Sequence, residues 1–177
     1  SAALTAMVAN LTFGKKGYEK HWPEVKELAV KGQEIKNRAL AAIDKDTDSF
    51  NMLMDAMRLP KKSDEEKSHR EKAIQDATKQ AIYVPLETLE LSLQAVELSA
   101  RIATIGNENA LSDAGVAAII AHAAAKGAFY NIKINMPGIT DETFVDEVST
   151  KAERLVEKIG SICSDVEVTL KEVLNRE

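Results

Sequence analysis

The strongest constraint on the fold is a run of apolar residues that alternate steps of four and three between Asp64 and Ile105. Its positions are Ile82, Leu86, Leu89, Leu93, Val96, Ala100 and Ala103. This spacing puts one side of a helix against a partner helix, as in helical bundles. Pro85 lies inside the run, where it removes a backbone donor and clashes with the carbonyl of Ala81, so we predict a kink between these two residues. Gly106 is expected to end the helix.

A second seam of the same kind occupies the last segment, from Thr140 to Arg176. Its apolar positions are Val145, Val148, Ala152, Leu155, Ile159, Ile162, Val166 and Val173. Thr140 is the expected cap of this helix, which is longer than a small bundle can cover. A second apolar line follows Val156, Cys163, Leu170 and Leu174. We therefore predict that this line faces another subunit in a homodimer.

The first third of the chain also has helical patterns. Residues 1–11 are small and apolar on all sides, which predicts a helix that is buried all round. A helical stripe from Trp22 is expected to end near Asp44, and a separate short helix, capped by Thr47 or Asp48, is expected to end before Pro60. Residues 61–69 are then predicted to form a charged connector that enters the next helix.

A further helix is predicted from Asn109 or Ser112 through Ala123. The next stretch, Tyr130–Asn135, alternates like a strand, but a single strand would have no partner, so we assign it to the end of a helix. The fold class that follows is all-α, an up-down helical bundle with long, partly kinked helices, in one domain of residues 1–177.

Composition limits the possible partners. The net charge is −5 with acids and bases interleaved, so no basic surface for a nucleic acid is evident. The single Cys163 excludes Cys-based metal frameworks, and His69 and His122 are interpreted as surface and structural residues. No apolar run reaches the ~20 residues of a membrane span and no signal peptide is visible, so the expected location is the cytoplasm, without a membrane partner.

The sequence contains no complete copy of the familiar site motifs. Asp44–Asp55 begins like a calcium loop, but Ser49 stands at the sixth position, where a Gly makes the turn, so an acidic helix start is the better interpretation. Gly14 and Lys15 resemble part of a phosphate loop, yet Ala9 stands where the first Gly belongs. Gly-x-Ser-x-Gly and His-Glu-x-x-His do not occur, so the familiar hydrolase machinery is absent.

Two polar clusters at helix junctions remain as candidate sites. The first, residues 107–113, precedes the most apolar helix, and its structural explanation is that Ser112 or Asn109 caps this helix while the helix dipole favours Asp113. The second places Arg58 and Lys61 around a proline that ends a helix. These cations either stabilise the helix C-terminus or form an anion site.

Several blocks of the sequence together resemble one family. They are Met7-Val8-Ala9-Asn10-Leu11-Thr12 with Gly14-Lys15-Lys16, then Arg58-Leu59-Pro60-Lys61, Val84-Pro85-Leu86, Ser112-Asp113 and Asn131-Ile132-Lys133-Ile134-Asn135. In this order, over nearly the whole chain, they resemble the formiminotetrahydrofolate cyclodeaminase family. The resemblance implies an all-helical, dimeric enzyme that acts on a folate. Family members carry a Gly-rich Pro-Gly-Gly-Gly-Ser stretch before the first helix, so either the chain is trimmed before Ser1 or part of the folate site is missing.

The chemistry that this resemblance implies needs no metal or redox cofactor. N10 of 5-formimino-tetrahydrofolate attacks the formimino carbon, and ammonia leaves to give 5,10-methenyl-tetrahydrofolate. Asp113, ionised in the first helical turn, is the candidate catalytic residue, as proton acceptor and counter-ion. The candidate substrate-binding residues are Asn107, Asn109, Ser112, Asn131 and Asn135, of which the asparagines would face the pterin, and Arg58, Lys61 and Lys15 for the glutamate tail.

Two other functions stay open from the sequence. Methenyltetrahydrofolate cyclohydrolase activity would use the same pocket, with water attacking the methenyl carbon. A non-catalytic helical dimer or scaffold is the alternative from another class, and it predicts that Asp113→Asn changes no folate activity. A separate formiminotransferase is a possible partner of the enzyme.

Overall fold

The computed structural model describes residues 1–175, and these residues form five α-helices and no strand. The helices are α1 (Ala2–Thr12), α2 (Trp22–Arg58), α3 (Asp64–Ile105), α4 (Leu111–Asn135) and α5 (Glu142–Leu174). Short 3-10 turns at Glu19–His21, Glu108–Ala110 and Met136–Gly138 adjoin α2 and α4. The predicted all-α class is confirmed. None of the helices in this part of the chain is long and apolar enough to cross a membrane.

Helix α3 is the centre of the arrangement. It packs against all four other helices, whereas α2 lies on one side of it and α5 on the other. Two ion pairs, Arg101–Glu24 and, farther along, Lys45–Glu87, join α2 to α3 and show that these helices run antiparallel. Helix α1 lies between α2 and α4, above α3, and contacts all three. Consequently α1, α2 and α4 form one outer face of the bundle.

The prediction of a break near Asp44 is wrong, because α2 continues to Arg58. The hydroxyl of Thr47, one of the two expected caps of a new helix, donates within α2 to the carbonyl of Ile43 at 3.2 Å, and the hydroxyl of Ser49 donates to that of Asp46 at 2.8 Å. Hydrogen bonds of this kind, to a carbonyl in the preceding turn, allow Ser and Thr in the middle of a helix. Ala42, Ser49 and Ala56 are buried at seven-residue spacing, which keeps α2 in contact with α3.

Two further helix starts differ from the prediction. The expected charged connector is helical from Asp64 onward, because Ser63 and Glu66 form a capping box. Helix α5 is capped by Asp141, whose Oδ1 accepts from the amide of Phe144 at 3.1 Å, rather than by Thr140. The predicted end of α3 at Gly106 and the helical assignment of Tyr130–Asn135 are confirmed.

Pro85 is buried inside α3, which continues through it, and the kink stays a prediction. Helix α1 is not buried all round, because Ala3, Met7, Asn10 and Leu11 are exposed on one side. This side faces outward where α2 and α4 leave α1 uncovered.

The second apolar line of α5, which was predicted to face another subunit, lies mostly against the core of its own chain. Cys163 is 2% exposed within the core, and Leu170 packs on Gly115 of α4, where a Cβ atom would lie 2.6 Å from the Leu170 Cδ2. Because Gly115 has no side chain, α4 can accept Leu170 and covers this line within one chain. Leu174, near the end of the helix, is exposed. The homodimer therefore cannot be argued from this line.

Candidate functional site

The junction between α1 and α4 brings three of the predicted site residues together. The Nζ of Lys15 donates to the Oδ1 of Asn107 at 2.5 Å, and the same oxygen accepts from the amide of Asn109 at 3.1 Å. The amide of Asn107 in turn donates to the hydroxyl of Thr12 at 2.8 Å. Asn107 is buried. These bonds tie the loop after α1 to the loop before α4, which gives Lys15 and Asn107 a structural role.

Asp113 and Ser112 lie directly beside this junction, in the first turn of α4. The interpretation that Ser112 or Asn109 caps this helix is wrong: the N-cap is Ala110, without a side-chain bond, because the preceding 3-10 turn leads straight into α4. Ser112 is exposed and Asp113 half-buried. The carboxyl group of Asp113 lies in the first turn of α4, at the positive end of the helix dipole. Neither side chain is used to start the helix.

A long open slot lies elsewhere, between α2 and α4 beyond the first turn of α1. Its floor is α3, and its walls are mostly alanines and aliphatic side chains, over a cavity of about 360 Å³. The lining includes Ala39, Leu40 and Ile43 of α2, Thr88, Leu91, Ser92 and Ala95 of α3, Ile120, Ala121 and Ala124 of α4, and Ser1, Ala2 and Ala3, which close one end. We call this space the α2–α4 slot. Its size is typical of small-molecule sites.

The slot continues, past Ala39 and Thr88, into a section of about 390 Å³ that is more polar. Asp46, Thr47 and Asn131 line this section together with Gly127. Asn131 Oδ1 accepts from the Nδ2 of Asn135 at 3.0 Å, so its own amide hydrogens stay available. No Lys or Arg within residues 1–175 forms an ion pair with Asp46. The slot thus joins an apolar part to a polar end that carries a carboxylate and an amide.

Asp46 is a candidate site residue that the sequence pattern did not single out. It was interpreted only as part of an acidic helix start, together with Asp44 and Asp48. Residues two positions apart point to different sides of a helix, so just one of these three acids lines the slot. The signal in the sequence was its spacing of seven from Ala39, which also lines the slot.

Arg58 and Lys61 lie at the tip of the α2–α3 hairpin. Arg58 pairs with Asp55 at 3.2 Å in the last turn of α2, as the helix-terminus explanation expects, and Lys61 is exposed in the loop. The tip is held by Arg70, whose guanidinium donates to the carbonyl of Met57. From Arg70 to the other end of α3 is about 50 Å at the helical rise. One chain therefore does not bring these cations to Asp113.

The predicted site residues thus fall into three groups within one chain. Along α4, Asp113 lies about 21 Å from Gly127 and about 27 Å from Asn131 at the helical rise of ~1.5 Å per residue. Asn131 and Asn135 belong to the polar end of the slot, Lys15, Asn107, Asn109, Ser112 and Asp113 to the junction, and Arg58 and Lys61 to the hairpin tip.

Other reactive side chains take no part in these groups. Burial raises the pKa of the Cys163 thiol, and Glu167 beside it raises this pKa further, so the thiolate nucleophile is disfavoured. Between α2 and α3, the hydrogen bond from Lys45 lowers the pKa of Glu87, and Arg38 adds to this shift. His122 is half-buried against Gly160 and His69 is exposed on α3. Within residues 1–175 no group of three potential metal ligands occurs.

Comparison with known proteins agrees with this architecture. The family model for formiminotransferase-cyclodeaminase matches residues 1–154. The crystal structure of formiminotetrahydrofolate cyclodeaminase from Thermotoga maritima superposes with a TM-score of 0.87 at 29% sequence identity, over 98% of this chain and 82% of that one.

Two relatives with different names are also similar. Methenyltetrahydrofolate cyclohydrolase of Methylorubrum extorquens is 35% identical over 98% of this chain and 84% of its own length. Formimidoyltransferase-cyclodeaminase of Gallus gallus is 34% identical over 89% of this chain, which spans only 29% of that longer protein.

Proposed function

Because the chain belongs to the formiminotransferase-cyclodeaminase family, we propose that it is a folate-dependent enzyme of one-carbon metabolism that cyclises 5-formimino-tetrahydrofolate and releases ammonia. The single observation that carries this proposal is the family match over residues 1–154 together with the shared fold of a protein named cyclodeaminase. This chain spans only 29% of the longer relative from Gallus gallus, whose name also includes a formimidoyltransferase.

The reaction needs proximity and the movement of one proton. N10 attacks the formimino carbon to give a tetrahedral centre, N10 loses its proton, and the amino group leaves as ammonia once it is protonated. The 5,10-methenyl product carries the positive charge that the amidinium brought. A carboxylate such as Asp113 fits as proton acceptor from N10, as donor to the leaving amine and as counter-ion of the cation.

The α2–α4 slot is the proposed place of the substrate rings. The 2-amino group and N3–H of a pterin are two parallel donors, which match the two oxygens of a carboxylate such as that of Asp46. Asn131 lies beside it with free amide hydrogens, and the alanine walls suit a flat ring. The roles of Asn107, Asn109 and Ser112 at the substrate stay predictions.

The cations Arg58, Lys61 and Lys15 are proposed for the glutamate tail of the folate. Arg58 lies about 18 Å along α2 from Asp46, closer than it lies to Asp113. A tail that leaves the polar end of the slot therefore runs toward the hairpin tip. Lys15 is engaged with Asn107 and would have to leave this bond to hold a carboxylate.

We further propose a homodimer in the cytoplasm that needs no metal or redox cofactor, with a formiminotransferase as a possible partner. The support for self-association is a set of exposed apolar side chains on the face formed by α1, α2 and α4. Sedimentation measurements test the dimer, and activity after extensive chelation tests the independence from metal.

The deciding experiment measures ammonia release from 5-formimino-tetrahydrofolate and, in parallel, hydrolysis of 5,10-methenyl-tetrahydrofolate. We expect ammonia to form at a rate far above background. Ammonia at the background rate with rapid hydrolysis would replace the cyclodeaminase with the second candidate, a methenyltetrahydrofolate cyclohydrolase. That candidate is favoured by one observation, the relative of that name that matches nearly the whole chain.

Calorimetry with folinic acid separates both enzymes from a scaffold. Folinic acid is a stable 5-substituted folate, so it should bind the site whichever reaction follows. Binding excludes the non-catalytic dimer, whereas absence of both activities and of folate binding would support it.

A further inference from the structure

The outer surface between α2 and α3 is held together by ion pairs with a spacing of seven residues. Arg101 pairs with Glu24 through two hydrogen bonds of 2.5 and 2.8 Å. Farther along α2, Arg38 pairs with Glu87 at 3.5 Å, and the same carboxylate group accepts from Lys45 at 2.7 Å. Because the helices are antiparallel, each step of seven along α2 matches a step of seven back along α3. Two such steps lead from the first pair to the second.

The level between these two pairs is not closed by an ion pair. Seven residues after Glu24 and seven before Arg101, Lys31 of α2 faces Gln94 of α3. Both side chains are exposed. Neither forms an ion pair or a side-chain hydrogen bond within residues 1–175. The neutral Gln94 stands where an acid would have completed the series, so Lys31 keeps its charge unpaired.

A cavity of about 360 Å³ occupies this level. Lys31 and Gln94 line it, and its apolar part is formed by Ile35, which is 6% exposed, and by the half-buried Leu98. The α2–α4 slot opens on another flank of α2, and the two linings meet at Ile35. The cavity is therefore a second concave site, apart from the proposed place of the folate rings.

Three charges border the cavity along α2 in the order cation, anion, cation. Lys31, Glu34 and Arg38 are spaced by three and four residues, which puts them on one side of the helix. This spacing permits ion pairs among the three, but none forms within residues 1–175. On α3, Glu97 also lines the cavity, and its carboxylate accepts from Lys158 of α5 at 2.7 Å. Glu34 is therefore the acid of the cavity whose charge is not used by the fold.

This arrangement suits a ligand with the opposite order of charges. An acidic α-amino acid carries two carboxylates and, between them along its chain, an ammonium group. The carboxylates match Lys31 and Arg38, and the ammonium group matches Glu34. Arg38 contacts Glu87 through Nη2, so its other guanidinium donors remain for a carboxylate.

The dimensions of the cavity favour glutamate. Lys31 and Arg38 are about 10 Å apart along the axis of α2, and their flexible stems let both charged groups reach a ligand that lies between them. The methylene groups of the ligand would cover Ile35, and the amide of Gln94 can donate to the carboxylate that Lys31 holds. Glutamate spans this distance better than the shorter aspartate.

The glutamate tail of a folate is a different ligand. It also has two carboxylates, but its α-nitrogen belongs to an uncharged amide. Glu34 would face this amide without a positive partner, at a cost in affinity. The charges of the cavity therefore favour a free amino acid over the tail.

We propose that the cavity between Lys31, Glu34 and Arg38 of α2 and Gln94 of α3 binds a free acidic α-amino acid of the size of glutamate. The ligand supplies the ion pair that is missing between the two helices. This site is independent of the proposed folate reaction, because its lining and its ligand are different from those of the slot.

A titration with L-glutamate tests the site. The backbone amides of isotope-labelled protein are followed by NMR at low ionic strength, where exposed charges are least screened. We expect saturable shifts in residues 31–38 and 94–98, with a dissociation constant of about 1 mM or lower. Glutarate and N-acetyl-L-glutamate lack the ammonium group, and L-glutamine lacks the second carboxylate, so each should bind about tenfold more weakly.

Two variants assign the binding to the cavity. Glu34→Gln removes the partner of the ammonium group and Lys31→Met removes a partner of the carboxylates, while both nearly keep the size of the side chain. Each should weaken the binding of L-glutamate about tenfold. Their controls are Glu172→Gln and Lys26→Met, at exposed positions outside the cavity, which should bind like the native protein.

Three results would overturn the proposal. They are binding that is still unsaturated at about 10 mM, equal affinities for glutarate and L-glutamate, and native affinity in Glu34→Gln and Lys31→Met. No folate takes part in these measurements. Their failure therefore leaves the proposed function as it stands, and a protein without folate activity could still bind L-glutamate.

Discussion

The groove between α2 and α4 is filled along one half and open along the other. In the filled half, α1 lies so close to α2 that a Cβ atom at Gly32 would be 2.9 Å from the Ala2 carbonyl oxygen. Ala6 and Ala9 are fully buried there. In the open half, alanines of the same two walls line the slot, and no helix of residues 1–175 covers them.

The polar residues of the filled half use their hydrogen-bonding groups within the fold, whereas those of the open half leave some of theirs unused. Thr5 and Ser99 in the filled half bond to each other at 2.8 Å, and Ser99 donates to the carbonyl of Ala95, so Thr5 is the donor of the pair. Asp46 and Asn131 in the open half keep bonding capacity unused by the fold. Small residues thus permit close packing where a helix fills the groove, and they leave an open slot where it does not.

Among the variants that compare the two halves, Asp113→Asn is expected to have the largest effect, which is on turnover. Turnover should fall about 100- to 10,000-fold, as for the loss of a general acid–base group. The melting temperature should stay nearly native, since no ion pair of Asp113 occurs within residues 1–175. Steady-state assays and calorimetric melting measure the two quantities. Glu108→Gln, which removes an exposed acid at the same junction, is the control and should retain full turnover. Equal activity of both variants would remove Asp113 from the mechanism.

Filling the open half is the next test. Ala39→Trp places an indole between the walls of the slot, so the affinity for folinic acid should fall at least about 100-fold, or roughly 3 kcal/mol. Ala41→Trp makes the same change at an exposed position of α2 outside the slot lining. Titration calorimetry measures the affinity of both variants for folinic acid. Similar affinities would show that the folate binds outside the slot.

Separating α1 from α2 tests the filled half. Gly32→Leu forces α1 away, because its Cβ would also lie 3.0 Å from the Ala6 Cβ. Overpacking of this kind costs about 2–3 kcal/mol, or roughly 5–10 °C in melting temperature for a chain of this size. The comparison change Gly160→Ala, at another helical glycine whose Cβ would be 3.4 Å from the His122 Nε2, should be neutral or stabilise by up to ~1 kcal/mol. Equal changes of melting temperature in both variants would contradict the close contact between α1 and α2.

The smallest effect is expected at the buried hydroxyl pair. Thr5→Val removes the donor to Ser99 but leaves the bond from Ser99 to Ala95, so the loss should be about 1 kcal/mol of unfolding free energy. Thr104→Val, an exposed change of the same size, should cost less. Urea unfolding of both variants gives the comparison, and a Thr5 effect no larger than that of Thr104 would show that the pair adds nothing to the packing.

Much of the helix content was predictable from local pattern, and the errors share one cause. Tyr130–Asn135 was assigned to a helix despite its alternation, since a strand cannot satisfy its backbone alone. The predicted break near Asp44 failed because Thr47 and Ser49 bond inside the helix, which depends on the packing of α2 against α3. The prediction that the α5 line through Cys163 faces a second subunit was wrong for a similar reason. Gly115 makes room for α5 on α4, and this can be seen only once the two helices are in contact.

The sequence could name candidate site residues but not where they lie in the fold. Asn131 and Asn135 do meet, through the spacing of four within one helix. Asp113 and Arg58 do not, because they lie at opposite ends of the bundle. Asp46 was missed because its neighbouring acids look the same in sequence, and only the slot distinguishes it.

By itself, then, the amino-acid sequence determined the helical class, most of the helix ends and the resemblance to a folate-enzyme family, since helical periodicity and short motifs are local properties of the chain. Only the tertiary structure decided which half of the α2–α4 groove is filled, which acid lines the open half, and that Asp113 is out of reach of that space within one chain. These are consequences of how distant helices lie against each other, and no local pattern contains that information.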